Sequence, residues 1–170
     1  MKKHNGMRPQ DLIVLLKIVS LKKQVWRNSD LAYALQISAS EISEALNRSK
    51  FAGLIDSQKQ KVHTNSLTEF LIYGLKYVFP VKPGAVTRGI PTAHSASPIK
   101  EQIMSGSDIY VWPYSNGIQR GQSIEPLYKT VPSIIHEDSL FYELLTITDT
   151  LRVGRVREVQ IAVKELKKRI

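Results

Sequence analysis

The sequence predicts a mainly α protein with a small β component: helices fill both ends of the chain, and an extended stretch separates them. Apolar residues recur at helical spacing over residues 7–79 and again over 133–170. Between them, residues 80–123 hold a large share of the prolines and glycines, with only short extended pieces. Ser, Asn and Gly stand where the helices should start and stop. The chain therefore divides into a helical unit over 1–79, an extended connector with one short sheet at most over 80–132, and a C-terminal helical pair over 133–170.

Each element has its own local reason. Leu12, Ile13, Leu15, Leu16, Ile18 and Val19 form a broad stripe on a helix from about Pro9 to Leu21. Pro9 suits its first turn, where a missing N–H costs nothing. Asn28-Ser29 are good N-cap residues for a second helix running from Asp30 to Gln36, and Asp30 suits its dipole. Ser38-Ala-Ser-Glu41 is a capping box, with Glu41 placed to reach back to the Ser38 amide. The helix it opens runs to about Ala52, and Gly53 can take the left-handed conformation that ends it. A second box, Ser66-Leu-Thr-Glu69, opens a fourth helix to about Phe79.

Beyond the connector, Leu140, Phe141, Leu144, Leu145, Ile147 and Leu151 face inward on a helix from about Glu137 to Arg152. After Gly154, Val156, Val159, Val163, Leu166 and Ile170 form a seam that wants a partner helix, in the same chain or in a second subunit. A homodimer built largely through this pair is the expectation.

Composition narrows the class. The absence of Cys removes disulfides, thiolate metal sites and a Cys nucleophile. The first apolar stretch, Leu12 to Val19, is short and broken by Lys17, so it fits neither a signal peptide nor a membrane span, and a cytoplasmic location is expected. The net charge of +9 is unevenly spread: residues 1–61 carry 11 Lys/Arg against 5 acids, residues 62–151 carry 6 against 8, and residues 152–170 carry 7 against 2. Both ends could attract a polyanion.

The informative unit runs from Asp30 to Ile55. Leu31, Ala34 and Leu35 offer a small-and-apolar face to a crossing helix, Ile37 plugs the core beneath a brief polar turn, and Ile42, Ala45 and Leu46 face inward from the next helix. That leaves Ala39, Ser40, Ser43, Glu44, Asn47 and Arg48 facing outward, behind the Ser38 cap. Such a helix can enter a major groove N-terminus first, where Ser, Asn and Arg side chains bond to base edges or phosphates. Leu31-Ala32, Leu35, Ile37-Ser38, Ser40, Ile42-Ser43, Leu46 and Gly53-Leu54-Ile55 make this stretch similar to the winged helix-turn-helix of bacterial transcription regulators in the broad MarR-like group. The resemblance covers about residues 8–79. It implies a wing with strands at Leu54–Asp56 and Val62–Thr64, and a basic tip from Ser57 to Lys61. DNA contacts are then expected from Ser38, Ala39, Ser40, Ser43, Glu44, Asn47, Arg48, Lys50, Lys59 and Lys61. Glu44 departs from the pattern, standing where many such regulators carry Arg.

Other signals are weaker. Gly106-Ser107-Asp108 lacks the further carboxylates of a nucleotidyltransferase site, and reads as a turn entering an aromatic strand. His136-Glu137-Asp138 are adjacent and so cannot converge on a metal; capping of the following helix is their expected role. His94 with Ser95 and Ser97 has no nucleophile elbow around it. Lys82 and Arg88 lie in the extended segment 80–99, which reads as a connector wrapping the C-terminal helices in preference to a basic arm laid along a phosphate backbone or minor groove, and Arg155, Arg157, Lys164, Lys167 and Lys168 form a solvated face. The expected function is a sequence-specific regulator that binds double-stranded DNA as a homodimer, repressor-like, without cofactor or catalysis. The resemblance adds the idea of a toxin–antitoxin or defence operon with a protein partner. The competing expectation is an adaptor or antitoxin-like protein that binds protein through the same face and the C-terminal helices.

Overall fold

Pro9 opens the first helix of the computed structural model, which describes residues 5–104, 106 and 108–170. Helix α1 (Pro9–Leu21) buries Leu12, Ile13, Leu15, Leu16 and Ile18, as its stripe predicts. Helix α2 (Asn28–Leu35) starts two residues earlier than expected. Its cap is the Asp30 carboxylate, which accepts from the Arg27 N–H at 2.8 Å; Asn28 and Ser29 lie inside the first turn. Gln36 then turns the chain in the left-handed region (φ 52°), and Ile37 drops into the core.

Helix α3 (Ala39–Phe51) is capped by Ser38, whose hydroxyl accepts from the Glu41 N–H at 3.2 Å. It ends as predicted: Gly53 takes φ +75°, and the amides of Gly53 and Leu54 bond back to Lys50 and Ser49. A miniature hairpin follows, closed by one antiparallel bridge between Ile55 and Val62 and by Asp56 N–H to Lys61 O at 2.9 Å. The Asp56 carboxylate receives the Gln60 and Lys61 amides and so shapes the tip; these bonds hold its pKa below the usual carboxylate range. Helix α4 (Thr64–Glu69) begins directly after the hairpin, two residues before Ser66. It runs through a π-helical turn (Phe70–Gly74) into α5 (Leu75–Val78).

The middle segment is more than a connector. Strands β1 (Val86–Pro91), β2 (Tyr110–Pro113) and β3 (Gln119–Ser123) each pair with both of the others, so the small sheet closes on itself. β1 is antiparallel to both neighbours, and β2 runs parallel to β3. Closure demands close backbone approach: a Cβ on Gly89 would sit 2.0 Å from the Trp112 carbonyl oxygen.

Trp112 is buried and donates to Asp149 at 2.6 Å. Thr92 and Arg152 bond to the same carboxylate, at 2.9 and 2.8 Å. Asp149 lies on α7 (Ser139–Val153), so this cluster anchors the sheet to the C-terminal helices. Burial pushes the Asp149 pKa up, while the three donors favour its charged form.

The short helix α6 (Val131–Ile134) precedes α7, with Thr130 donating to the Leu35 carbonyl at 2.8 Å. Asp138, the last of the His136-Glu137-Asp138 run, caps α7 by accepting from the Phe141 N–H at 2.9 Å. The same carboxylate takes Lys17 Nζ and Ser20 Oγ, each at 2.7 Å, which ties the end of α1 to the start of α7. Helix α8 (Val156–Arg169) closes the chain. Its seam finds a partner in the same chain: Ala162 and Leu166 are fully buried, Val159, Val163 and Ile170 pack partly buried against the core, and only Val156 stands free. One contiguous apolar core takes residues from all three segments, including Leu16, Trp112 and Leu166. Among the described residues, no helix is long and apolar enough to cross a membrane.

Candidate nucleic-acid interface

Helices α2 and α3 meet through Leu31, Leu35, Ile42 and Leu46, all buried. Ala45 is the fully buried small residue of this pair; Ala34, expected at the crossing, is half-buried. With its apolar stripe facing α1 and α2, α3 turns the opposite side to solvent.

That side holds most of the expected contact residues. Ser38, Ala39, Ser40, Asn47 and Lys50 are exposed, and Ser43 and Glu44 are half-buried. A groove of about 530 Å³ runs along it, lined on α3 from Ser40 to Phe51, with Glu41 and Arg48 among its walls, and by Asn5 and Arg8 from the segment leading into α1. The hairpin joins the same surface: Lys59 Nζ donates to Asn47 Oδ1 at 2.6 Å, and Lys61 is exposed at the far side of the tip. The contribution of Asn5, Arg8 and Phe51 is not visible in the spacing of α3.

Arg48 corrects the sequence reading. Expected on the outward face, it is buried beneath the helix. Its Nε and Nη2 donate to the two carboxylate oxygens of Asp11 at 2.9 and 2.7 Å, and Nη2 also reaches Glu41 at 2.5 Å. The hydrogen bonds to Asp11 hold its guanidinium charged above the ordinary arginine value, against the opposing effect of burial. The signal was present in the spacing: Arg48 falls three residues after Ala45, on the inward side, and Asp11 falls four before Leu15 on the apolar stripe of α1. A carboxylate on a buried stripe needs a cation, and Arg48 supplies it.

Glu41 is also re-employed. Its amide meets the Ser38 cap, but its side chain turns away from the Ser38 N–H towards Arg48, Gln10 at 3.2 Å and Arg8 at 3.9 Å. Burial pushes its pKa up, yet the bonds and charges from Arg48, Gln10 and Arg8 outweigh that and leave it lowered. One of the two acids that weaken an anion-binding face is thereby neutralised by internal cations.

Two weaker signals find structural roles. Asp108 pairs loosely with Arg155 at 3.6 Å; Ser107, in the same motif, lies outside the described residues. His94 Nε2 bonds to the Asp108 carbonyl at 2.7 Å, and its ring packs edge-on to Tyr110.

Comparison with protein-family models, curated proteins and solved structures finds no match to this chain.

Proposed function

We propose that this chain is a sequence-specific double-stranded DNA-binding regulator that lays α3 in the major groove and the 54–63 hairpin on the adjacent backbone. The observation that carries the reading is the bond from Lys59 to Asn47, which joins the polar face of α3 and the basic hairpin tip into one surface. Ser40, Ser43 and Asn47 supply short donors and acceptors for base edges, and Lys50, Lys59 and Lys61 supply cations for phosphates. Arg48 acts from below, fixing α3 on α1 so that this face is held rigid. Two copies on neighbouring half-sites would give the specificity that one such module lacks.

A second reading, a protein-binding adaptor, draws on Phe51, which is 76% exposed at the end of α3 and lines the groove. A binding titration against duplex DNA from upstream of the protein's own gene, at a series of salt concentrations, separates the two. Regulation predicts a steep linear fall of log K with log salt. Flat, weak binding together with a protein co-purifying in fixed ratio would favour the adaptor.

A further inference from the structure

Positive charge gathers at the two ends of this sequence, and the fold brings those ends together. The C-terminus of α8 lies against the hairpin and the end of α1, and between them runs an open groove of about 310 Å³ lined by the apolar Ile18, Val19 and Val62 as well as by Lys22, Lys61 and Arg169. Lys22, Lys23, Lys61 and Lys167 are exposed and have no ion-pair partner among the described residues. Lys167 stands one turn before Ile170 on the same side of α8.

Two of the nearby acids, Glu143 and Glu165, are already occupied. Arg169 takes Glu143 at 2.7 Å and also pairs with Glu165, and Lys168 holds Glu165 at 2.5 Å. The ammonium groups of Lys22, Lys23 and Lys167 keep a mutual repulsion that the C-terminal dipoles of α1 and α8 offset only in part, while Lys61 is partly balanced by Asp56 on its own hairpin. A polyanion relieves that repulsion and releases its own counterions on binding.

The hairpin connects this region to α3. Lys59 bonds to Asn47 on one side of the tip, while Lys61 lines the rear groove on the other. A basic surface therefore runs from α3 over the hairpin to the last turn of α8.

We propose that the groove between the hairpin, the end of α1 and the C-terminus of α8 is a second contact surface for the DNA backbone, extending the footprint beyond the helix-turn-helix. The proposal rests on the DNA-binding reading of α3. Lysines are point charges that take phosphates without reading bases. The groove therefore adds affinity and salt dependence but no sequence preference.

The test uses the full chain, a duplex from upstream of its gene and an unrelated duplex of equal length. Lys22→Gln, Lys23→Gln and Lys167→Gln are combined, and log K is measured against log salt. The slope should fall by about two to three units, close to 0.9 per lost phosphate contact, equally on both duplexes and with their affinity ratio unchanged. The matching triple Lys→Arg variant should keep the wild-type slope, which separates loss of charge from damage to the fold. A slope unchanged in the Gln triple, with wild-type binding intact, overturns the groove and leaves α3 standing. A changed affinity ratio overturns it as a backbone contact. A wild-type protein that binds neither duplex overturns both readings at once.

Discussion

Arg48 and Asp11, 37 residues apart in sequence, meet through two parallel hydrogen bonds, with the Arg48 side chain 8% exposed and that of Asp11 wholly buried. This fork ties α3 to α1 and so fixes the solvent-facing side of α3. Removing one partner leaves the other charge buried and unpaired. Arg48→Ala should therefore cost roughly 3–5 kcal/mol of stability, read as a drop in urea midpoint at constant m-value. Arg48→Lys should recover only part of this, because an ammonium cannot span both oxygens. The folded fraction of Arg48→Lys should keep its DNA affinity. Full stability combined with lost sequence preference would instead return Arg48 to the DNA.

The α3 face and the hairpin should separate by the kind of loss they produce. Asn47→Ala should cost roughly 1–3 kcal/mol on the cognate site and relax preference at one base pair. Lys59→Ala with Lys61→Ala should weaken binding to every duplex alike and lower the salt slope by about two. Competition titrations with single-base variants of the site measure both. Equal losses from Asn47→Ala on all duplexes would remove α3 as the reader.

What the sequence revealed about α3, and what it concealed, follows from the range of the forces involved. Pro9, Ser38, Gly53 and Asp138 act within a few residues of themselves, so the helix ends they set could be read locally. Asp30 also acts locally, but the Asx-rich stretch 28–30 offers three competing caps, and the start of α2 slipped by two residues. Arg48 was placed outward because charge at the edge of an amphipathic stripe usually faces water; its spacing from Ala45 pointed inward, but its distant partner Asp11 was needed to give that spacing its meaning. The closed sheet was concealed for the same reason. Its pairings join β1 to strands about 20 to 36 residues later, and its anchor, Asp149, looks like a polar interruption in the stripe of α7 until Trp112 and Thr92 arrive.

Acid should loosen the C-terminal helix through Glu165. Hydrogen bonds from Lys168, opposed by burial and reinforced by Gln102 and Arg169, lower its pKa from 4.5 to about 2. The native state therefore binds fewer protons than the unfolded chain between these values, so stability rises with pH there. The contribution is complete above about 4.5 and is lost as the pH falls towards 2. Glu165→Gln should be less stable than the wild type at neutral pH, and the difference should shrink steadily from about pH 5 to pH 2. Urea midpoints for both proteins across that range provide the measurement. A gap that stays constant would show that Glu165 acts through packing and not through its charge.

Helix α8 is part of the core, which sets the outcome of removing it. Leu166 is fully buried and Ala162 beside it likewise, both belonging to the same apolar cluster as Leu16 and Leu144. Leu166→Ala should cost roughly 2–5 kcal/mol, the spread reflecting how far the site can collapse. Deleting residues 154–170 uncovers that whole surface together with the side of α7 that faced it. The shortened chain should then lose its cooperative thermal transition and expose apolar surface to a hydrophobic dye, whatever the oligomeric state of the full-length protein. A dimerisation helix would behave differently: its loss would halve the mass in light scattering and leave each monomer cooperatively folded. A cooperatively folded product of the deletion would show that α7 and the first three helices suffice for the core, and would reassign α8 from core element to appended arm.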